Sequence, residues 1–137
     1  MAVVEELLRS EADGSVSFGN HKLAHKAKVE DFQHAGDLLK VKTYKDITKL
    51  EKNGMFLYES VPGTSVLSFK ETATGVEFVV EADEDVQITV GLMDDTEYEV
   101  FVGGASTGTM KTGLGGKLSL SVELETAGEV EVKVAQV

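Results

Sequence analysis

Lys117-Leu118-Ser119-Leu120-Ser121-Val122-Glu123-Leu124 is the stretch that decides the fold class. Leu118, Leu120, Val122 and Leu124 occupy every second position, with Ser119, Ser121 and Glu123 between them. An extended chain with that order is apolar on one face and polar on the other. Glu129-Val130-Glu131-Val132-Lys133-Val134 repeats the order, and Ala127-Gly128 reads as the turn between the two.

Working outward, Glu97-Tyr98-Glu99-Val100-Phe101-Val102 alternates as well, with Phe101 on its acidic side. Val76–Val80 and Val86–Val90 read as two more strands joined by the acidic turn Asp83-Glu84-Asp85. In the first half, Ser15–Phe18 follows the turn Asp13-Gly14, and Leu38–Tyr44 follows His34-Ala35-Gly36-Asp37. Asn53-Gly54 should join Ile47–Lys52 to Met55–Glu59, because a type I′ turn needs positive φ at both central residues. Val4, Leu7 and Leu8 have helical spacing, which leaves one short helix open near the start. About ten short strands and no long helix predict an all-β protein: a β-sandwich, or two small packed antiparallel modules.

Charge suggests where such modules would meet. The chain has 137 residues and a net charge of −11. Residues 1–62 hold 9 Lys/Arg and 10 Asp/Glu, a balance of −1; residues 63–137 hold 4 and 14, a balance of −10. Pro62-Gly63, at that change, is the expected junction between an N-terminal β module (1–62) and an acidic C-terminal β-sandwich module (63–137), unless the two form one continuous domain. An acidic chain repels phosphate backbones and anionic bilayers, so neither nucleic acid nor membrane is an expected partner. Cysteine is absent, which removes disulfides and thiolate chemistry and favours a reducing compartment. Met1-Ala2-Val3-Val4-Glu5-Glu6 lacks the basic start and unbroken apolar run of a signal peptide, so a cytoplasmic location is expected.

Several patterns invite chemistry. Gly104-Ala105-Ser106-Thr107-Gly108 matches the Gly-x-Ser-x-Gly hydrolase motif, which requires a strand-to-helix elbow. The following Thr109–Gly113 reads as strand and turn, so Ser106 is expected in a loop or strand with no histidine in reach. Gly113-Leu114-Gly115-Gly116-Lys117 has the flavour of a phosphate loop, but Leu118 stands where Ser or Thr would hold magnesium. His21, His25 and His34 are candidate zinc ligands if turns bring them together. Asp83 and Asp85, with Glu84 beside them and Asp94-Asp95 beyond the next strand, are candidate calcium ligands. Glu123, Glu125, Glu129 and Glu131 would gather across a hairpin, as glycosidase carboxylates do or as an acidic sheet edge would. Tyr44, Phe56 and Tyr58 are the candidate ligand platform, with Phe56 and Tyr58 on one face. No cofactor is implied.

Two resemblances follow from quoted segments. Glu97–Gly103, Gly108–Thr112 and Gly116–Leu124 resemble the small accessory β modules that end many bacterial polysaccharide-degrading enzymes. Asp13–Asn20, Val41–Tyr44 and Leu50–Gly63 resemble short bacterial proteins labelled endosialidase. That label implies sialic-acid chemistry, yet it carries over no catalytic residue, since such enzymes grip carboxylates with arginines and the one arginine here is Arg9. The reading is therefore a non-catalytic structural or protein-interaction β protein, with a glycan-binding or glycan-processing protein as the alternative. Self-association is also expected, as a homo-oligomer built through its sheets. Val3, Val4, Leu7 and Leu8 would be the contact, and Val130–Val134 an open edge.

Overall fold

The computed structural model describes residues 3–137; Met1 and Ala2, part of the segment read for a leader, lie outside it. Among the described residues the chain forms thirteen strands and no helix, arranged as two packed antiparallel sheets. The first sheet runs β1 (Leu8–Ser10), β2 (Val16–Phe18), β7 (Ser65–Glu71), β8 (Gly75–Glu81), β13 (Glu129–Gln136), β10 (Glu97–Val102) and β11 (Ala105–Lys111). The second runs β12 (Lys117–Val122), β9 (Val86–Gly91), β6 (Met55–Val61), β5 (Ile47–Lys52), β4 (Asp37–Tyr44) and β3 (Ala27–His34). The β-sandwich expected from alternation is the architecture found.

Strands from both sides of Pro62 pair within each sheet. Tyr58 of β6 faces Val90 of β9, and Val16 of β2 faces Phe69 of β7. One hydrophobic cluster draws on both halves, from Leu8 and Phe18 to Val132 and Val134. Pro62-Gly63-Thr64 is the segment by which the chain leaves the second sheet and enters the first.

The centre of the core is aromatic. Tyr58 of the second sheet meets Phe18, Phe69 and Phe78 of the first edge-on, with ring centroids 5.2, 6.1 and 5.6 Å away. Such edge-to-face packing matches the positive rim of one ring to the negative face of the next. Two-residue turns set the hairpin registers. Asn53 and Gly54 have φ of 52° and 79°, and Lys52 faces Met55, as the Asn-Gly signal required.

Several expectations are corrected. Val4–Leu8 is not a helix: Leu7 N–H donates to Val4 O at 2.9 Å in a turn, and Leu7 has φ of 70°. Val4 and Leu8 are buried within the chain itself, so they are not a free contact for a neighbour. β12 and β13 do not form a hairpin, because residues 123–128 cross between the sheets. β13 is not an edge; it lies between β8 and β10, with partners on both sides.

Candidate functional site

At one end of the sandwich the inward positions are hydroxyls instead of hydrocarbon. Thr43, Thr48 and Ser60 are direct cross-strand neighbours on β4, β5 and β6, all fully buried. Irregular backbone crosses this end, and its buried polar groups need partners. Asn20 N–H donates to Thr43 Oγ1 (2.9 Å), and Thr48 Oγ1 donates to Thr64 O (2.8 Å) while accepting from Thr64 N–H (3.0 Å). Thr64 Oγ1 lies 2.8 Å from both Tyr58 Oη and Ser60 Oγ. The row closes the end of the core.

His21 sits at the rim of this row. Its Nδ1 shares a 2.8 Å hydrogen bond with Ser65 Oγ, and its Nε2 lies 3.7 Å from Asp83 Oδ2. Serine, histidine and aspartate are thus in sequence, but Ser65 has no exposed surface and the His21 side chain is 4% exposed. No substrate atom reaches that hydroxyl. The His21 Nε2 is buried without a hydrogen-bond partner, and burial pushes the imidazole below its ordinary 6.5 against the pull of Asp83. Lys22, bonded to Asp83 at 2.6 Å, holds that carboxyl below its usual range.

The sign of the resulting pH effect follows. Neutral His21 fits the fold, whereas the unfolded chain takes up a proton near 6.5. The fold therefore loses stability as pH falls below that value and on through the lower folded one. The urea midpoint of the wild type is expected to drop from about pH 8 to about pH 5, and that of His21→Gln to stay flatter over the same range. Glu11, Glu30, Asp13 and Asp83 do not confuse the reading. Their lowered values belong to groups with ordinary values of 4.5 and 3.8, so their contributions disappear only at more acid pH. Equal slopes for the two proteins would show that His21 is not the group responsible.

The other candidate ligands are dispersed. His25 is exposed. His34 is tied to Ser10 Oγ (2.7 Å) and to Gly14 O (3.0 Å), linking β3 to the first turn of the other sheet. Asp85 accepts from Leu124 N–H (2.9 Å) and Glu125 N–H (3.0 Å), which anchors the chain where it leaves β12. Among the described residues, no three His, Asp or Glu side chains are grouped to hold a metal ion. Glu123 and Glu125 leave β12 for the other sheet, so they do not face Glu129 and Glu131 across a ladder.

The aromatic platform also separates. β6 bulges between its pairings Glu51–Phe56 and Leu50–Tyr58, so Leu57 is an extra residue. Phe56 is therefore turned outward, with Lys117 Nζ 4.7 Å from its ring centroid, while Tyr58 is fully buried. Tyr44 stays on the outer face of the second sheet, beside Ile47 and under Lys26. Next to it is a row the sequence did not announce: Lys28 faces Lys42, and Lys42 faces Lys49. Glu30 and Glu51 neutralise the outer two, while Lys42 pairs with no carboxylate among the described residues.

Ser106 is on β11, where its hydroxyl donates to Glu99 at 2.7 Å. Every residue of β11 is exposed, on both faces. The first sheet has seven strands and the second six, β1 approaches β3 at the opposite side, and β11 is exposed on its inward face as well, so the second sheet leaves it uncovered as a ledge. The signal for this surface was in the sequence, because residues 103–122 contain no carboxylate in a chain that has 24. Protein-family models, curated proteins and solved structures were all compared with this chain, and none of them matches it.

Proposed function

We propose that this protein is a non-catalytic interaction module that acts through the free edge of its first sheet. The observation that supports this reading is β11, seven residues long and exposed throughout. An edge strand directs half of its N–H and C=O groups away from its neighbour, ready for another strand. Of the other two long edges, β12 has every second residue buried in the core, and β3 is defended. It carries Lys28, Glu30 and Asp31, and it bulges between Val29 and Phe32. β1 spans three residues. β11 carries one charge, Lys111, at its end.

The hydroxyls that invite a hydrolytic reading favour the same conclusion. Ser106 is bonded to a carboxylate, and the Ser65–His21 pair is sealed. Incubation with p-nitrophenyl esters and with fluorogenic glycosides, a sialoside among them, is expected to give no turnover above buffer. Turnover that disappears in Ser106→Ala or His21→Gln would sink the reading.

A glycan-binding role is the second reading, supported by Tyr44 and Ile47 beside the Lys28–Lys42–Lys49 row. An aromatic face next to an unneutralised ammonium suits an acidic sugar. A glycan-array screen is the measurement that would favour it.

A further inference from the structure

We infer that the partner of β11 is a second copy of this chain, joined antiparallel across a two-fold axis at Thr109. The inference rests on β11 being the open edge and adds the identity of the occupant and the register.

Three features select a second copy. The first is charge. Two molecules at −11 each repel, so a self-contact must fall where carboxylates are missing. Residues 103–122, which carry β11 and β12, come closest to such a side: they contribute no carboxylate and only Lys111 and Lys117 as charges, and the acids beside β11 are engaged, Glu99 by Ser106 and Asp95 by Lys111.

The second feature is shape. Gly108 faces Val100, and Met110 faces Tyr98, both of which are core residues. Gly108 and Met110 therefore lie on the ledge's inner face, which the second sheet leaves uncovered. Nothing lies within 4 Å of the place a Cβ on Gly108 would occupy, and Met110 is 40% exposed. A two-fold at Thr109 sets Met110 of each copy over Gly108 of the other, so each methionine fills the other's vacant site. Met93 (54% exposed) and Leu114 (96% exposed) add apolar surface at the same end, on loops joined by the Thr112 Oγ1 to Met93 O hydrogen bond.

The third is the register itself. Gly108 to Lys111 is the regular part of β11; the one bulge, at Thr107, lies outside it. Pairing about Thr109 puts threonine opposite threonine, a favourable cross-strand pair. Lys111 then falls opposite Thr107 of the other copy, and the two lysines stay roughly 13 Å apart along the ladder.

Sedimentation equilibrium tests this at micromolar concentration and above. The expected mass is twice 14.7 kDa, with association strengthened by salt as like-charge repulsion is screened. Thr109→Glu sets two carboxylates face to face on the axis and should halve the mass, with an unchanged circular dichroism spectrum. The chain has no cysteine, so Thr109→Cys supplies a second measurement. Its sulfurs meet across the axis, and mild oxidation should give a covalent dimer, while Ser119→Cys on β12 should not. A monomeric wild type, a Thr109→Glu dimer, or cross-linking through Ser119→Cys alone would each overturn the inference. None of those results touches the non-catalytic reading, which turnover would sink.

Discussion

Replacing Tyr58 by alanine is expected to remove about 3–5 kcal/mol of folding stability, a large share of the roughly 5–15 kcal/mol that a domain commonly has. Tyr58 has no exposed surface and is the second sheet's member of the aromatic cluster. Phe18, Phe69 and Phe78 come from three strands of the opposite sheet, so no single neighbour can shift to fill the space. The vacancy would lie where the sheets are keyed together, at the point least able to collapse. The hydroxyl is the smaller part of the effect. Tyr58→Phe leaves the ring contacts intact, and Thr64 keeps Ser60 as a partner, so a loss of about 1 kcal/mol is expected. Urea unfolding of the three proteins, with slopes compared as well as midpoints, checks both values. If Tyr58→Ala lost no more than Tyr58→Phe, the hydroxyl row and not the ring would be the keystone.

Tyr58 also shows where sequence reading succeeds and where it stops. Glu97–Val102, read from its alternation, and Ile47–Lys52, read as strand from the Asn53-Gly54 turn although Ile47 and Leu50 have helical spacing, both have the bounds read from sequence. Three of the strands that were missed or misread carry a bulge. In β3, Val29 and Phe32 both pack against the core, but Glu30 and Asp31 lie between them and Asp31 has φ of 55°. In β7, Val66 and Phe69 are both buried, three apart, with Ser68 at φ of 55°. In β6, the extra Leu57 reverses the face of Phe56 relative to Tyr58. One inserted residue breaks the period that identifies a strand, and a register slip turns every later side chain over.

Pairing was less legible still. β8 to β9 and β12 to β13 are joined by short connections that read as hairpins, yet each pair lies in different sheets. Alternation says that one face is buried; it does not say against which strand. The same limit hid the sites. Ser65 and His21 are 44 residues apart, and Lys28, Lys42 and Lys49 become neighbours only through the registers of β3, β4 and β5. The acid-free segment was different. It could be read from composition alone, because β11 and β12 are nearly consecutive in the chain.

Gly63→Ala carries the second large effect, for a reason of space and not of φ. A Cβ on Gly63 would lie 1.9 Å from Tyr44 O, far inside contact distance, with Tyr44 C at 3.1 Å and Lys45 C at 3.3 Å. These are backbone atoms, so no rotamer change relieves the clash. The turn on the other side is tied down: Lys45 N–H donates to Leu23 O (2.9 Å), and Lys45 O accepts from Gly63 N–H (3.0 Å). The crossing segment is tied too, through Thr64 and the Thr48 hydroxyl. Relief therefore requires breaking part of the hydroxyl row and exposing or orphaning its buried groups. A loss of about 3 kcal/mol or more is expected, at or above the upper end for overpacking. Gly54→Ala is the control. Gly54 also has a turn conformation, φ of 79°, but nothing lies within 4 Å of its Cβ position, so a loss of about 1–2 kcal/mol is expected from the backbone alone. Urea midpoints for the two variants separate the causes. Equal losses would mean that the crossing yields as easily as an exposed hairpin, and that the hydroxyl row does not fix how the chain passes from one sheet to the other.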